Sequence, residues 1–319
     1  MRPGNDAGAR PETPRMKSIF IDCNHQLAPV WTRVHTAGDP QVTVNTAPYA
    51  TADLPKLLAG YDVVLDDHSP MPTDLIARCP QLKHIIFLGT GAASYMSIPE
   101  LKALGITVHT IRGYGDTAVA EHTIALMFAS ARDLARMDRG LRGGTWKPLE
   151  GTQLLGKTLG IIGLGGIGAE VARIGRGIGM EVIVWNRTPR PETGIRQVDL
   201  DTLLMSADVV SMHLSLGEET RGFLNRARIA QMKPGALYVN TARGALADEA
   251  ALIEALQSGH IRHAGLDVYT HEPLPADHPF TRMDNVTLSA HAAFRTLEAS
   301  MTLLRRALDI LKSIETMGR

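Results

Sequence analysis

The stretch KTLGIIGLGGIG, residues 157–168, decides the fold of this chain. An apolar run suited to a strand leads into a turn that satisfies the pattern G-x-G-x-x-G, formed by Gly163, Leu164, Gly165, Gly166, Ile167 and Gly168. In such a turn the first glycine permits the sharp bend, the second lets the backbone approach a pyrophosphate, and the third lets helix and strand pack closely. A glycine-rich turn without a ligand is the alternative interpretation, but the position between a strand and a helix favours dinucleotide binding.

The end of the next apolar run, VIVWNRT at residues 182–188, bears on which dinucleotide would bind. An acid that holds the ribose is expected about 20 residues after the last glycine, and Asn186 lies 186 − 168 = 18 residues after Gly168. A neutral amide therefore fills that position, and Arg187 and Thr188 follow it. Arginine can pair with a 2′-phosphate, which an acid would repel. These residues predict NADP(H) as the preferred cofactor with NAD(H) possible; the alternative is that Arg187 is an ordinary solvated side chain.

Length and composition describe an ordinary globular protein. A chain of 319 residues predicts about two domains. The numbers of basic and acidic residues are equal (33 each), so the chain has no net charge that would attract nucleic acid or a membrane surface. No apolar run approaches the roughly 18 residues that span a bilayer. The two cysteines, Cys23 and Cys79, cannot form a disulfide framework, so we expect a cytoplasmic protein.

Apolar runs alternate with helix-length segments along the chain, which is typical of an α/β protein with parallel sheets. Eleven strands are predicted: 18–23, 42–46, 62–66, 84–88, 107–111, 158–162, 181–185, 209–213, 236–240, 264–268 and 286–289. Two long helices are predicted over 116–144 and 295–317. The pattern predicts a flexible tail over 1–15, a first domain formed by 16–117 and 291–319, and a dinucleotide-binding domain over 118–290.

Three residues with complementary chemistry follow predicted strands. Arg243 comes just after one strand, Glu272 lies in the loop after the next, and His291 follows the last. Each alone is more simply explained as a helix cap, a loop carboxylate or a buried histidine. Together, an arginine can hold a carboxylate through two parallel bonds. A histidine beside a carboxylate can protonate a carbonyl oxygen as hydride reaches the carbon. Because the carboxyl ends of strands line the ligand crevice of such sheets, all three are expected at one edge.

Five segments together resemble the D-isomer-specific 2-hydroxyacid dehydrogenases, a family that includes glyoxylate/hydroxypyruvate reductases, D-lactate dehydrogenases and phosphoglycerate dehydrogenases. The segments are DTAVAEHTIALM (116–127), LLGKTLGIIGLGGIG (154–168), VNTARGALADE (239–249), GLDVYTHEPLP (265–275) and SAHAAF (289–294). The likeness extends from about Lys17 to the end. It implies two doubly wound parallel sheets, a Rossmann cofactor domain and a flavodoxin-like substrate domain, with Arg243, Glu272 and His291 as the catalytic set.

The resemblance also implies further binding residues. The loop after a strand of the first domain would offer its amides to a substrate carboxylate, through Leu88, Gly89, Thr90 and Gly91. On the cofactor side, Thr241 and Ala242 would pass along the dinucleotide, Asp267 would lie near the nicotinamide amide, and His213 and Leu214 would lie near the adenine. Family members are usually dimers, so a homodimer is expected. No metal site is predicted.

The chain departs from the family pattern at two loops. Ser215 stands where proline is common, and GTGAASYM (89–96) lacks an Asp that is usual in that region. The hypothesis from sequence is an enzyme that transfers hydride from NADPH to a small 2-oxo acid to give the D-2-hydroxy acid, similar to glyoxylate/hydroxypyruvate reductases. The alternatives are an NAD-dependent phosphoglycerate dehydrogenase and a nucleotide-gated, corepressor-like binding protein.

Overall fold

The computed structural model describes residues 16–191 and 194–317, and the chain divides into two compact units. The first unit contains residues 16–114 and 297–317, and the second contains 115–296. The sequence placed these boundaries at 117/118 and 290/291. The structure keeps 291–296 with the second unit because the His291 amide donates to the backbone oxygen of Asp267 at 2.8 Å. The predicted tail, 1–15, lies outside the described residues.

The first unit is built on a five-stranded parallel sheet in the order β2-β1-β3-β4-β5. This 2-1-3-4-5 order is the flavodoxin-like arrangement, as the resemblance implied. Its strands are β1 Ser18–Phe20, β2 Val42–Val44, β3 Val63–Asp66, β4 His84–Phe87 and β5 Thr107–Thr110. Its helices are α1 Leu27–Val34, α2 Leu54–Leu57, α3 Thr73–Ile76, α4 Ile98–Ala103 and, numbered last because it closes the chain, α11 Leu297–Met317.

Helix α11 belongs to the first unit because its apolar face completes that unit's core. Leu304, Leu308 and Leu311 are fully buried and pack in one cluster with Val30 and Trp31 of α1. Burying each leucine stabilises the fold by roughly 1.5–3 kcal/mol. The last helix of the chain is thus held to the first unit by a row of side chains at helical spacing.

The second unit contains a seven-stranded parallel sheet in the order β12-β11-β10-β9-β6-β7-β8. Its strands are β6 Thr158–Ile162, β7 Glu181–Trp185, β8 Arg196–Gln197, β9 Val209–Met212, β10 Ala236–Asn240, β11 Ile261–Leu266 and β12 Val286–Leu288. Its helices are α5 Asp116–Ala131, α6 Leu134–Arg142, α7 Gly166–Gly177, α8 Leu200–Ser206, α9 Arg226–Gln231 and α10 Glu249–Gln257. The strand order reverses between β6 and β9, so the sheet is doubly wound and has a switch point beside β6. The predicted fold, two parallel α/β sheets, is confirmed.

The carboxyl ends of the second sheet are in register. Ile162 pairs with Trp185 on one side and with Met212 on the other. The same row continues through Asn240 and Leu266 to Leu288. The residues that follow these strands therefore emerge at one edge of the sheet, which brings together chain segments more than 100 residues apart.

The predicted single helix over 116–144 is wrong: the structure has two helices, α5 and α6, with a break at Asp133. Asp133 has a left-handed backbone (φ 50°), which a helix interior does not allow. Its carboxylate lies 3.1 Å from Arg262 Nη2 and 3.3 Å from His263 Nδ1, both on β11. These long-range partners hold the residue in a conformation that helical spacing alone does not reveal. Across the described ranges, no helix is long and apolar enough to cross a membrane.

Candidate active site

The glycine turn after β6 is shaped by contacts that exclude side chains. Gly163 has φ 101°, and a Cβ there would lie 2.8 Å from the backbone oxygen of His213. A Cβ on Gly168 would lie 2.2 Å from the Gly163 oxygen, so helix α7 packs directly onto the turn. A Cβ on Gly165, in contrast, would meet nothing within 4 Å. Two glycines thus close the turn and the third leaves its outer side open.

This turn fits a dinucleotide pyrophosphate. The first N–H groups of a helix have no acceptor within the helix, and α7 begins at Gly166, next to the open Gly165. The positive end of the helix dipole lies at the same point. Ile167 is partly buried against the core beneath, so its side chain leaves the turn accessible. The open outer side of the turn and the free N–H groups at the start of α7 are the features that binding of a dinucleotide pyrophosphate requires.

Asn186, which stands in the place of the expected acid, is bonded to the phosphate turn. Its Oδ1 accepts the Leu164 N–H at 2.9 Å, and its Nδ2 donates to the Thr188 carbonyl oxygen at 2.6 Å. The amide therefore fixes the segment that carries Arg187 and Thr188, both of which are exposed. The amide also leaves this position uncharged.

Three residues at this end of the sheet were missed by the sequence analysis. The first is Arg190, whose Nη1 donates to the Leu164 oxygen at 2.9 Å. The second is Glu219, whose Oε2 accepts from Arg187 Nη1 at 2.6 Å, and the third is Asp116. The Asp116 carboxylate lies against Gly166, where an added Cβ would be 1.8 Å from its Oδ2. Arg190 could have been found as a second arginine close behind Arg187. The other two contacts join residues 32 and 50 positions apart, and no local pattern announces them.

The other predicted cofactor residues lie at the same edge. His213 Nε2 is 2.7 Å from Ser211 Oγ, and burial lowers the pKa of His213 to about 4, so its ring is neutral at pH 7. Leu214 is partly buried against the core. Thr241 is buried, and its hydroxyl lies 2.8 Å from that of Thr123 on α5. The Thr241 side chain is thus used inside the unit, and the Ala242 amide is bound by Asn240 Oδ1.

Glu272 and His291 form a direct pair. His291 Nδ1 lies 2.6 Å from Glu272 Oε2, and the Tyr269 amide donates to Oε1 at 2.9 Å. Burial raises the pKa of Glu272, but the hydrogen bonds from His291 and Tyr269 and the charge of Arg243 outweigh it and hold the pKa below its usual value. An ionised carboxylate can only accept, so Nδ1 carries the proton of this bond. Nε2 is left as the ring nitrogen that can exchange a proton with a ligand.

Arg243 is brought close to this pair by Gly244. A Cβ on Gly244 would lie 2.0 Å from the Tyr269 carbonyl carbon, so the loop after β10 lies directly against the loop that carries Glu272. Arg243 Nη1 donates to the Ala242 oxygen at 2.6 Å, and the backbone oxygen of Arg243 accepts from Asn240 at 2.9 Å. The sequence analysis named Arg243 but did not identify Gly244 as the residue that permits this approach.

Asp267 holds the segment that carries His291. The carboxylate is fully buried and accepts from Ser289 Oγ at 2.6 Å and from the Ala292 and Ala293 amides at 3.0 and 2.9 Å. Burial raises the pKa of Asp267, but these bonds and His122, 3.5 Å away, keep it below its usual value. His291, at the centre of this segment, has a left-handed backbone with φ 48°. Because a non-glycine residue is strained there, the buried carboxylate maintains a conformation that would otherwise relax.

The predicted substrate loop lies at the carboxyl end of β4 in the first unit. The Leu88 amide donates to the Asp66 oxygen at 2.7 Å, and the Gly89 oxygen accepts from Ile111 at 2.9 Å. Thr90 is exposed and Gly91 is partly so. Within residues 16–191 and 194–317, the amides of Thr90 and Gly91 donate to no protein acceptor. The loop is anchored at its start and has backbone donors near its tip.

A doubly wound domain with a glycine turn at its switch point, and Arg, Glu and His on neighbouring strand ends, defines an oxidoreductase that uses a nicotinamide cofactor. Residues 124–293 match the family model "D-isomer specific 2-hydroxyacid dehydrogenase, NAD binding domain". The chain belongs to this family, and it is an NAD(P)-dependent dehydrogenase whose family acts on small 2-hydroxy and 2-oxo acids.

Named relatives agree with this assignment. The chain is 40% identical over 255 residues to the hydroxypyruvate reductase of Thermotoga maritima, covering 77% of this chain and 82% of that protein. It is 36% identical over 247 residues to the D-3-phosphoglycerate dehydrogenase of Archaeoglobus fulgidus, covering 76% of this chain but 47% of that protein. The chain thus spans about half of the latter protein's length. The crystal structure of the TT0316 protein from Thermus thermophilus superposes with a TM-score of 0.85 at 32% identity, covering 95% of this chain and 98% of that one.

Proposed function

We propose that this protein reduces small 2-oxo acids to D-2-hydroxy acids with NADPH, and that glyoxylate or hydroxypyruvate is the substrate. The observation that carries the proposal is the 2.6 Å contact between His291 Nδ1 and Glu272 Oε2, which leaves Nε2 for proton transfer. The relative from Thermotoga maritima is named hydroxypyruvate reductase, which supports the choice of substrate. D stereochemistry is taken from the family.

The catalytic roles follow from the chemistry of the three side chains. When bound, the reduced nicotinamide supplies the hydride that the carbonyl carbon accepts. His291 Nε2 donates a proton to the carbonyl oxygen and regains one from solvent, while the Glu272 carboxylate orients the ring and stabilises its positive charge. Arg243 binds the substrate carboxylate and polarises the adjacent carbonyl, since a guanidinium presents two parallel donors. A role in substrate binding for the loop of residues 88–91 stays a prediction, and it is narrowed to the amides of Thr90 and Gly91, because the Leu88 and Gly89 amides already donate to the backbone oxygens of Asp66 and Phe87.

The proposed cofactor preference rests on charge. A 2′-phosphate adds roughly −1.5 to −2 charges, which an acid at position 186 would repel. Asn186 is neutral, and Arg187 and Arg190 both lie within a few residues of it. We expect NADPH to have a Michaelis constant at least about tenfold lower than that of NADH, which corresponds to a single favourable charge contact. Initial rates with each cofactor in turn test this, and equal constants would contradict it.

The substrate proposal is tested with a panel of 2-oxo acids. We expect turnover of glyoxylate or hydroxypyruvate with NADPH to exceed that of pyruvate and of the phosphorylated 3-phosphohydroxypyruvate. Preferential use of the phosphorylated acid with NADH would favour a phosphoglycerate dehydrogenase instead. Because every member of the panel is followed by the same change in absorbance, the comparison is direct.

The role of His291 is tested by H291A. The expected kcat is at least about a hundredfold below that of the native enzyme, the lower limit for loss of a general acid. Cofactor binding, measured by fluorescence, should be retained because the glycine turn follows β6, whereas His291 follows β12. Near-normal turnover by a folded H291A enzyme would show that another group donates the proton.

We further propose a homodimer in which a second copy of the chain covers the segment that joins α5 to β6, residues 132–157. Apolar side chains are exposed there, with Leu134 51%, Leu141 53% and Trp146 88% exposed. Large apolar side chains left exposed within one short segment are a common sign of an interface. Light scattering gives the mass in solution, and a monomer mass across micromolar concentrations would refute the proposal.

A further inference from the structure

Arg187 already has an anionic partner. Its Nη1 lies 2.6 Å from Glu219 Oε2, and the two side chains are 77% and 81% exposed. Glu219 lies on the loop between β9 and α9, 32 residues along the chain from Arg187. The arginine to which we assign the 2′-phosphate is therefore bound by a carboxylate of the same unit.

Both partners are carried on braced loops. Asn186 fixes the Arg187 segment through its bonds to Leu164 and Thr188. On the other side, the Thr220 hydroxyl accepts from the Gly217 amide at 2.8 Å and donates to the Ser215 oxygen at 2.7 Å. These bonds close the loop on which Glu219 stands. The two charges are thus presented to each other by fixed backbone, although their side chains remain in water.

We infer that Glu219 is a specificity-determining residue that competes with the cofactor 2′-phosphate for Arg187. The inference rests on the proposed function, in which Arg187 binds that phosphate. A carboxylate and a phosphate use the same N–H donors of a guanidinium, and two anions bound to one arginine repel each other. Glu219 therefore weakens the binding of NADP(H) and leaves the binding of NAD(H), which has a hydroxyl at this position, nearly unchanged.

The size of the effect follows from electrostatics. A carboxylate about 6 Å from a phosphate of roughly −2 charge in water weakens its binding about threefold at 0.15 M salt, where the screening length is about 8 Å. The same estimate gives about sevenfold at 0.01 M salt and less than about twofold at 1 M. Removal of the Glu219 charge should tighten 2′-phosphate binding by these factors, with a salt dependence that identifies the cause as charge.

The test is calorimetric binding of adenosine 2′,5′-bisphosphate and of adenosine 5′-monophosphate, which requires no turnover. E219Q keeps the shape of the side chain without its charge, and R187A removes the proposed phosphate partner. E254Q is the matched control, since Glu254 forms a similarly exposed ion pair with Arg226 elsewhere in the unit. Melting temperatures of all variants report whether the fold is intact.

The expected result is that E219Q binds the bisphosphate about threefold more tightly at 0.15 M salt and binds the monophosphate as the native protein does. E254Q should match the native protein with both ligands. If R187A binds the bisphosphate poorly but E219Q binds it no more tightly than the native protein does, the inference about Glu219 would be overturned while the phosphate assignment of Arg187 would stand. Glu219 would then have no effect on phosphate binding or would hold Arg187 in place for it. Native bisphosphate binding by R187A would overturn the phosphate assignment and the inference with it.

Discussion

Replacing Gly244 with alanine should separate the two loops that carry Arg243 and Glu272. An alanine Cβ would lie 2.0 Å from the Tyr269 carbonyl carbon and 2.4 Å from the Thr270 nitrogen. Carbon atoms in contact are normally about 3.5 Å apart, so the loops must separate by about 1.5 Å. The obstructing atoms belong to the backbone, and no side-chain rotation can relieve the clash.

The consequence is a loss of alignment in the proposed catalytic set. Arg243 adjoins the substituted residue, and Glu272 is held by the amide of Tyr269, the residue whose carbonyl group the new methyl group would press against. A misplacement of about 1 Å between reacting groups costs on the order of a hundredfold in rate. We expect kcat/KM of G244A to fall at least about a hundredfold, with about 1–3 kcal/mol of stability lost to overpacking.

Steady-state kinetics with NADPH and the best 2-oxo acid measure this effect, and circular dichroism reports the fold. G177A is the control, because a Cβ on Gly177 would meet nothing within 4 Å. A folded G244A enzyme with kcat/KM within about threefold of the native value would refute the reasoning, since the loops would then tolerate the displacement without harm to the site.

Two further predictions concern charge. In N186D the carboxylate keeps an acceptor for the Leu164 amide, loses the donation to the Thr188 oxygen and faces the 2′-phosphate, so the ratio of NADPH to NADH efficiency should fall about tenfold. An unchanged ratio in steady-state kinetics would contradict the cofactor proposal. Burial and the charge of Asp22 hold the pKa of Asp66 well above its usual value. The folded protein thus keeps a proton that the unfolded chain releases, and stability from this group falls as pH rises above about 4 through the raised pKa. The melting temperature of D66N relative to the native protein should therefore increase from about pH 5 to about pH 9, and parallel curves would show that Asp66 does not control this dependence.

The strands of both sheets were predictable because buried parallel strands require continuous apolar runs. All eleven predicted strands are present within a few residues of their expected ends. The twelfth, β8, was missed because it consists of Arg196 and Gln197, two polar residues at the sheet edge. The break between α5 and α6 was missed for a different reason: Asp133 is held by partners on β11, and sequence spacing describes only neighbours along one helix.

The candidate site likewise contains residues that the sequence could identify and contacts that it could not. Arg243, Glu272 and His291 could be named because each follows an apolar run, and parallel strands present their carboxyl ends at one edge. The bonds of the Asp267 carboxylate to Ser289 and to the amides after His291 depend on how a loop folds back, which no periodicity specifies. The pairing of Arg187 with Glu219 was also beyond prediction, since it depends on two separate loops.

The bond from the Leu164 amide to Asn186 links two properties that are usually treated as separate. The residue proposed to set the charge beside the ribose also supports, through this bond, the turn proposed to receive the pyrophosphate. Aspartate retains that support, whereas a smaller residue such as glycine or alanine removes it. Changes of cofactor preference at this position should therefore pass between asparagine and aspartate, and combinations with substitutions in the glycine turn should be non-additive. A change of the proposed NADPH preference toward NADH therefore has few tolerated residues at position 186, and the turn, more than the ribose, sets that limit.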